Sequence, residues 1–308
     1  MTAAAPPARI VALDAARGAA IVAMVAFHLI WDLGNFGYID RDFPYSAGVK
    51  LFGHAIAIAF LFIVGVSLVL ARARGAGWGA FRRRFFMIAG AAGLVSLGTY
   101  IAFPQAFVFF GILHCIALSS LLAAPLLALR WPAALFAAVV ASLAPLVFSH
   151  PLFNPIWLSW IGLSTIEPLT NDYQPLLPWS GAVFAGVATA KVWRAQNMAP
   201  IGAGFRAGAM SWLGRRSLAL YLLHQPVLFG VFSGLALLGA APHDTGVAAF
   251  VAACVAQCEQ SGGSTAICKD PCRCTAEQAT RSGSLPDLPG ERVERINEIA
   301  RRCFAKAQ

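Results

Sequence analysis

Seven stretches of this chain are long and apolar enough to read as membrane spans, at roughly 10–31, 50–71, 85–103, 106–128, 131–148, 177–193 and 217–239. A helix rises about 1.5 Å per residue, so about 20 mostly apolar residues cross the hydrocarbon layer. In lipid every backbone N–H and C=O must be paired inside the protein, which repeated runs of this length achieve as helices. The expected class is all-α: a polytopic membrane helix bundle of about 7–8 transmembrane helices with a small disulfide-stapled helical C-terminal tail. Composition agrees, because 58 % of the 308 residues are apolar and only 12 % are charged. That charged share is about half that of an ordinary soluble domain. It excludes a disordered chain, a coiled coil and a nucleic-acid binder that relies on a basic surface.

The net charge of +9 gains meaning from where the charges fall. With the N-terminus cytoplasmic, thirteen Arg and Lys side chains lie on the inner side, opposed only by Asp14. The outer side, up to the tail, carries Arg41 and Lys50 against six acids. This asymmetry follows the positive-inside rule and sets the orientation, with the N-terminus on the cytoplasmic side. The first span holds Asp14 and Arg17 within its apolar pattern and lacks a small-residue cleavage site, so it reads as a retained span. The segment 149–177 combines Trp157, Trp160 and Tyr173 with prolines and polar residues. It reads either as an aromatic belt or as a partly re-entrant lid over a substrate.

Six of the seven cysteines lie after residue 250, which divides the chain into a membrane domain (1–245) and a cysteine-rich extracytoplasmic tail (246–308). Cys254 and Cys258 are four apart, as are Cys268 and Cys272, and residues four apart share one helix face. Two antiparallel helices joined at Ser261-Gly-Gly-Ser264 would align these pairs as Cys254–Cys272 and Cys258–Cys268, leaving Cys274 for Cys303. Seven spans from a cytoplasmic start place the tail outside, where disulfides persist. The alternatives are a zinc site, which suits a reducing compartment, and unpaired thiols.

Ionisable groups within membrane spans are costly, so each is a functional candidate. Asp14 and Arg17 can pair at spacing three. The pair is either self-neutralising or part of a basic inner mouth with Arg72, Arg74, Arg82, Arg83 and Arg84, suited to the phosphates of a nucleotide-bearing donor. His28 lies about 16 Å further along the helix. Asp32, four residues on, would orient its ring and raise its basicity, as a general base needs. His54, His114 and His224 are further intramembrane histidines, each equally at home in a helix–helix hydrogen bond. No nucleophile elbow or glycine-rich phosphate loop is present, and no metal is expected.

Taken together, several stretches make the chain similar to a known family. They are Val11-Ala-Leu-Asp14-Ala-Ala-Arg17-Gly18, Phe27-His28-Leu-Ile-Trp31-Asp32 and Gly65-Val-Ser67. Further on are Gly111-Ile-Leu-His114, Leu177-Pro178-Trp179-Ser-Gly181, Arg215-Arg216-Ser217 and His224-Gln225-Pro226. In this order and spacing they resemble the bacterial branch of the heparan-alpha-glucosaminide N-acetyltransferase catalytic-domain family, over roughly residues 8–230. The resemblance implies an integral membrane acyltransferase. It would take an acetyl group from cytoplasmic acetyl-CoA to an amine or hydroxyl of an extracytoplasmic sugar or glycolipid. It also adds Trp179, Arg216 and Ser217 to the polar candidates. The glucosamine-acetylating members of that family carry an asparagine where this chain has His28, and a histidine in the following loop. Here the loop 33–49 has none, which points to His28 as the base. A homodimer embedded in the lipid bilayer is compatible with this reading. The competing functions are a small-solute transporter or exporter, and a non-enzymatic envelope protein with a periplasmic interaction tail.

Overall fold

A computed structural model describes residues 10–40, 42–196, 208–238, 245–260, 264–281 and 290–305. Arg9, Arg41, Arg206, Asp244 and the turn at 261–263 lie outside the described residues. The described chain is helical, with one isolated bridge between Phe110 and Tyr173. The helices are α1 (Val11–Asn35), α2 (Ala47–Ala73), α3 (Trp78–Ala102), α4 (Ile112–Leu126), α5 (Trp131–Val147), the short α6 (Ile156–Ser159) and α7 (Leu176–Ala195). After them come α8 (Ala209–Arg215), α9 (Ser217–Leu237), α10 (Thr245–Gln260), α11 (Thr265–Arg281) and α12 (Gly290–Ala305). Among the described residues, α1, α2, α3 and α9 are long and apolar enough to cross a bilayer. The chain is a membrane protein.

Two units are formed, one from Met1–His28 with Ala47–Val227 and one from Leu29–Ser46 with Leu228–Gln308. The first is organised around α7. Small residues let helices approach closely in lipid, where dispersion and backbone contacts replace the hydrophobic effect. At the α2–α7 crossing a Cβ on Gly65 would lie 2.0 Å from the Val183 carbonyl oxygen. On the opposite helix, a Cβ on Gly186 would lie 2.2 Å from the Phe62 oxygen. Around this crossing Leu61, Val183 and Val187 are fully buried, and Ala134, Ala138 and Ala141 of α5 close the other side.

The fourth helix begins at Ile112 rather than near 106, where the apolar run starts. Residues 106–110 are apolar, but their backbone is claimed by the 149–177 segment. Asn171 N–H donates to the Ala106 oxygen and Gln174 N–H to the Phe110 oxygen. That segment is held by its own bonds. The Tyr173 hydroxyl donates to the Ser159 oxygen at 2.7 Å, and Asn154 accepts from both Thr165 groups. Its turn uses Gly162 at φ +92°, where a Cβ would also strike the Leu177 carbonyl. The segment is thus a hydrogen-bonded cap seated on the α3–α4 connection.

In the second unit, Phe36 stacks on Phe232 at 5.6 Å, with Phe229 and Tyr38 around them. The tail helices are joined by Cys254–Cys272, Cys258–Cys268 and Cys274–Cys303, with Cα separations of 5.7, 5.8 and 5.9 Å. Cys268, Cys272, Thr275, Ala276 and Ala279 form one fully buried stripe along α11. Cys115 in α4 is a buried free cysteine.

Candidate active site

Three helices meet where Ile21 and Met24 of α1, Ile56 of α2 and Leu220 and Tyr221 of α9 form a small apolar cluster. Its packing brings His28 of α1 against His224 of α9, with ring centroids 4.6 Å apart in an edge-to-face arrangement. Each ring is anchored at Nδ1. His28 Nδ1 lies 3.0 Å from the Met24 carbonyl oxygen, and His224 Nδ1 lies 2.6 Å from the Tyr221 oxygen. A carbonyl only accepts, so Nδ1 carries the proton in both rings. Each Nε2 is then left with a lone pair, the atom a base or an acyl acceptor uses. His224 Nε2 is buried and has no hydrogen-bond partner among the described residues.

Phe27 sits edge-on to His28 at 5.4 Å and rests against Gly53 of α2. The next residue, His54, meets Trp179 of α7 at 5.3 Å. Asp32 is buried, at 3 % exposure.

His114 has a different task. Its Nδ1 accepts the Gly111 N–H at 3.2 Å. Ser96 Oγ donates to the Val108 oxygen, so the His114 Nε2–H, 3.2 Å away, donates to Ser96. Its Nδ1 caps the first turn of α4 and its Nε2 ties that turn to α3, so both ring nitrogens are engaged. Asp172 supports the same turn by accepting the Ile112 N–H at 3.0 Å. Burial pushes its carboxyl up to about 6, against the downward pull of that hydrogen bond.

A second polar group lies nearer the start of α1. Arg17 pairs with Asp14 at 2.9 Å and also donates to Ser67 of α2, whose own hydroxyl donates to the Ile63 oxygen. Arg84 of α3 lies within electrostatic reach of Arg17. It borders a small cavity with Ser120, whose buried hydroxyl has no partner among the described residues. Arg17 is paired with Asp14 and Arg84 has no ion pair among the described residues, which leaves excess positive charge among the helices. The expected basic mouth is not one cluster. Arg17 and Arg84 converge, Arg74, Arg82 and Arg83 are exposed, and Arg72 lines a different cleft. Arg216 stacks over Trp212 at 4.2 Å, and Ser217 opens α9.

Residues 9–226 match the family model described as heparan-alpha-glucosaminide N-acetyltransferase, catalytic. The chain belongs to this family. The match takes in the α1 and α9 histidines and both members of the Arg17–Asp14 pair, and stops before the disulfide-bonded tail. No curated protein and no solved structure matches the chain. Membership of the heparan-alpha-glucosaminide N-acetyltransferase family and the membrane helices together make this a membrane protein of acetyltransferase type.

The sequence marked Ser67 only as part of a family stretch and not as a partner of Arg17, because a serine inside an apolar helix commonly bonds its own backbone, as this one also does. Nor did it find the pairing of His28 with His224, which are 196 positions apart and meet only through helix packing.

Proposed function

We propose that the protein moves an acetyl group from cytoplasmic acetyl-CoA to an amine or hydroxyl of an extracytoplasmic sugar or glycoconjugate. The observation that carries this reading is the pair of Nε2 lone pairs on His28 and His224, one without a partner, inside a membrane acetyltransferase fold. Acyl transfer needs a base for the acceptor proton and donors for the developing oxyanion. His28 Nε2 takes the proton from the acceptor as its oxygen or nitrogen bonds to the thioester carbonyl carbon. The thiolate of coenzyme A leaves as the C–S bond breaks. His224, across from it, receives or relays the proton. Asp32 follows His28 by four residues, the helical spacing at which a carboxylate would orient the ring.

The buried guanidiniums of Arg17 and Arg84 carry one positive charge more than Asp14 neutralises, and that excess would attract the phosphates of such a donor. Arginine charge on one side and disulfides in the tail support an inner-membrane placement, with the N-terminus cytoplasmic and the tail periplasmic.

The test uses purified protein in sealed vesicles, labelled acetyl-CoA on the cytoplasmic face and a panel of amino and hydroxyl sugars inside. Label should reach at least one acceptor, and His28→Ala and His224→Ala should each cut transfer by about a hundredfold or more, the scale of general base catalysis. Undiminished transfer in His28→Ala removes it from the mechanism. Failure of the protein to bind acetyl-CoA at all refutes the acyltransferase reading.

A further inference from the structure

Four basic side chains far apart in sequence surround one cleft of about 350 Å³, the size range of ligand sites. Arg72 comes from the last turn of α2, Arg130 from the start of α5, and Lys191 and Arg194 from the end of α7. Leu127 and Trp131 supply its apolar wall, and among the described residues no carboxylate lines it. Lys191 is fixed in place, since its ammonium donates to the carbonyl oxygens of Leu127 and Leu129 after α4. Its head is thus held over the end of α4 rather than left free, as a charge serving topology alone is. Arg72, Arg130 and Arg194 have no ion pair or side-chain hydrogen bond among the described residues. Three guanidiniums thus surround a space with nothing to neutralise them, and guanidinium forks match phosphate oxygens.

The cleft lies where three helices end, which is the depth of lipid headgroups for helices that cross or enter a bilayer. From its rim an apolar ridge runs up α5 in steps of four: Trp131, Leu135, Val139 and Leu143, exposed by 39, 45, 47 and 49 %. Positions four apart lie on one helix face. A nucleotide has no use for such a ridge, whereas acyl chains lie along it while their phosphate enters the basic cleft. We infer that this cleft, separate from the Arg17 and Arg84 group, binds the phosphate headgroup of an anionic phospholipid whose acyl chains follow the exposed face of α5.

The test is native mass spectrometry of the full-length, delipidated protein titrated with phosphatidylglycerol, phosphatidylcholine or inorganic diphosphate, with acetyl-CoA binding measured in parallel. Phosphatidylglycerol should be retained at least tenfold better than phosphatidylcholine. The double variant Arg130→Gln/Arg194→Gln removes two unpaired charges that hold nothing else in the fold, and should erase that preference with acetyl-CoA affinity unchanged. A Lys191→Gln variant, which also loses the α4 carbonyl contacts, should weaken lipid retention and lower the melting temperature as well. Equal retention of the two lipids overturns the inference. So does diphosphate binding as tight as phosphatidylglycerol binding, which would make the site one for free phosphates. Loss of acetyl-CoA affinity in the double variant also overturns it, by giving the cleft to the donor nucleotide.

Discussion

Asp172→Asn should stabilise the protein at neutral pH and leave it unchanged in acid. The carboxyl sits in the loop before α7, where it accepts the Ile112 N–H, and Gly111 is bare enough that a Cβ there would come within 2.2 Å of the carboxylate oxygen. Burial raises its pKa from 3.8 to about 6. The folded state therefore holds the proton more tightly than the unfolded state. Below pH 4 both states are protonated and the group is neutral in the balance. As pH climbs from 4 to 6 the unfolded chain ionises first, and the folded protein loses stability; above 6 the loss is complete. Each pKa step is about 1.4 kcal/mol, so the gap corresponds to about 3 kcal/mol at most. Asp172 keeps partial solvent contact, which reduces this to about 1–2 kcal/mol. The asparagine carbonyl still accepts from Ile112 and never ionises, so the variant escapes the loss. On a chain of this size the gain amounts to about 2–3 °C in melting temperature at pH 7.5, with no gain at pH 4. The assay is thermal unfolding in detergent, followed by a thiol-reactive dye that reports exposure of Cys115, the buried free cysteine. An equal shift at both pH values refutes the argument, because a pH-independent effect cannot come from the ionisation. A loss at pH 7.5 refutes it too, by showing that the charge on the α4 N-terminus outweighs burial.

Three further outcomes follow from other parts of the structure. Gly186→Ala should cost about 1–3 kcal/mol, because its Cβ would press on the Phe62 carbonyl 2.2 Å away, and a lowered melting temperature with unchanged secondary structure by circular dichroism measures it. Unfolded but unreduced protein should take up one alkyl group, on Cys115, rising to seven after reduction, read by intact mass. Arg84→Gln should raise the KM for acetyl-CoA several-fold with little change in kcat, since it alters charge where the donor phosphates are proposed to bind and not at the histidines; a kcat loss at constant KM contradicts that assignment.

The helices were legible because lipid leaves a backbone few alternatives, so apolar length alone gives a helix and its approximate position. The stapled tail was legible for a similar reason, since cysteines four apart commit to one helix face. Where the reading slipped, hydrogen bonds had overridden hydropathy. Phe107 to Phe110 look like the start of a span, yet the backbone there pairs with the 171–174 stretch, and α4 waits for the Gly111–His114 cap. His114 and His28 are indistinguishable as symbols in an apolar run. Only the neighbours separate them: the first has both nitrogens engaged at a helix start, whereas the second is anchored at Nδ1 and faces another histidine anchored in the same way.

That contrast shows how the proposed chemistry can rest on isolated side chains rather than on a motif. In the proposed mechanism a histidine serves as a base only when one nitrogen is fixed by the backbone and the other faces something other than a permanent partner. In a helix the carbonyl of residue i−4 or i−3 provides the anchor at no cost in sequence, as Met24 does for His28 and Tyr221 for His224. What the sequence must specify is the second helix, brought close enough that the free nitrogens converge. In this chain that falls to small apolar contacts, Ile21 and Met24 against Leu220 and Tyr221, and none of them carries a chemical signature of its own. A substitution that enlarged Leu220 would therefore separate the rings while leaving both histidines intact. Activity would fall with every recognisable motif in place, which locates the site in the packing of α1 against α9 as much as in the two imidazoles.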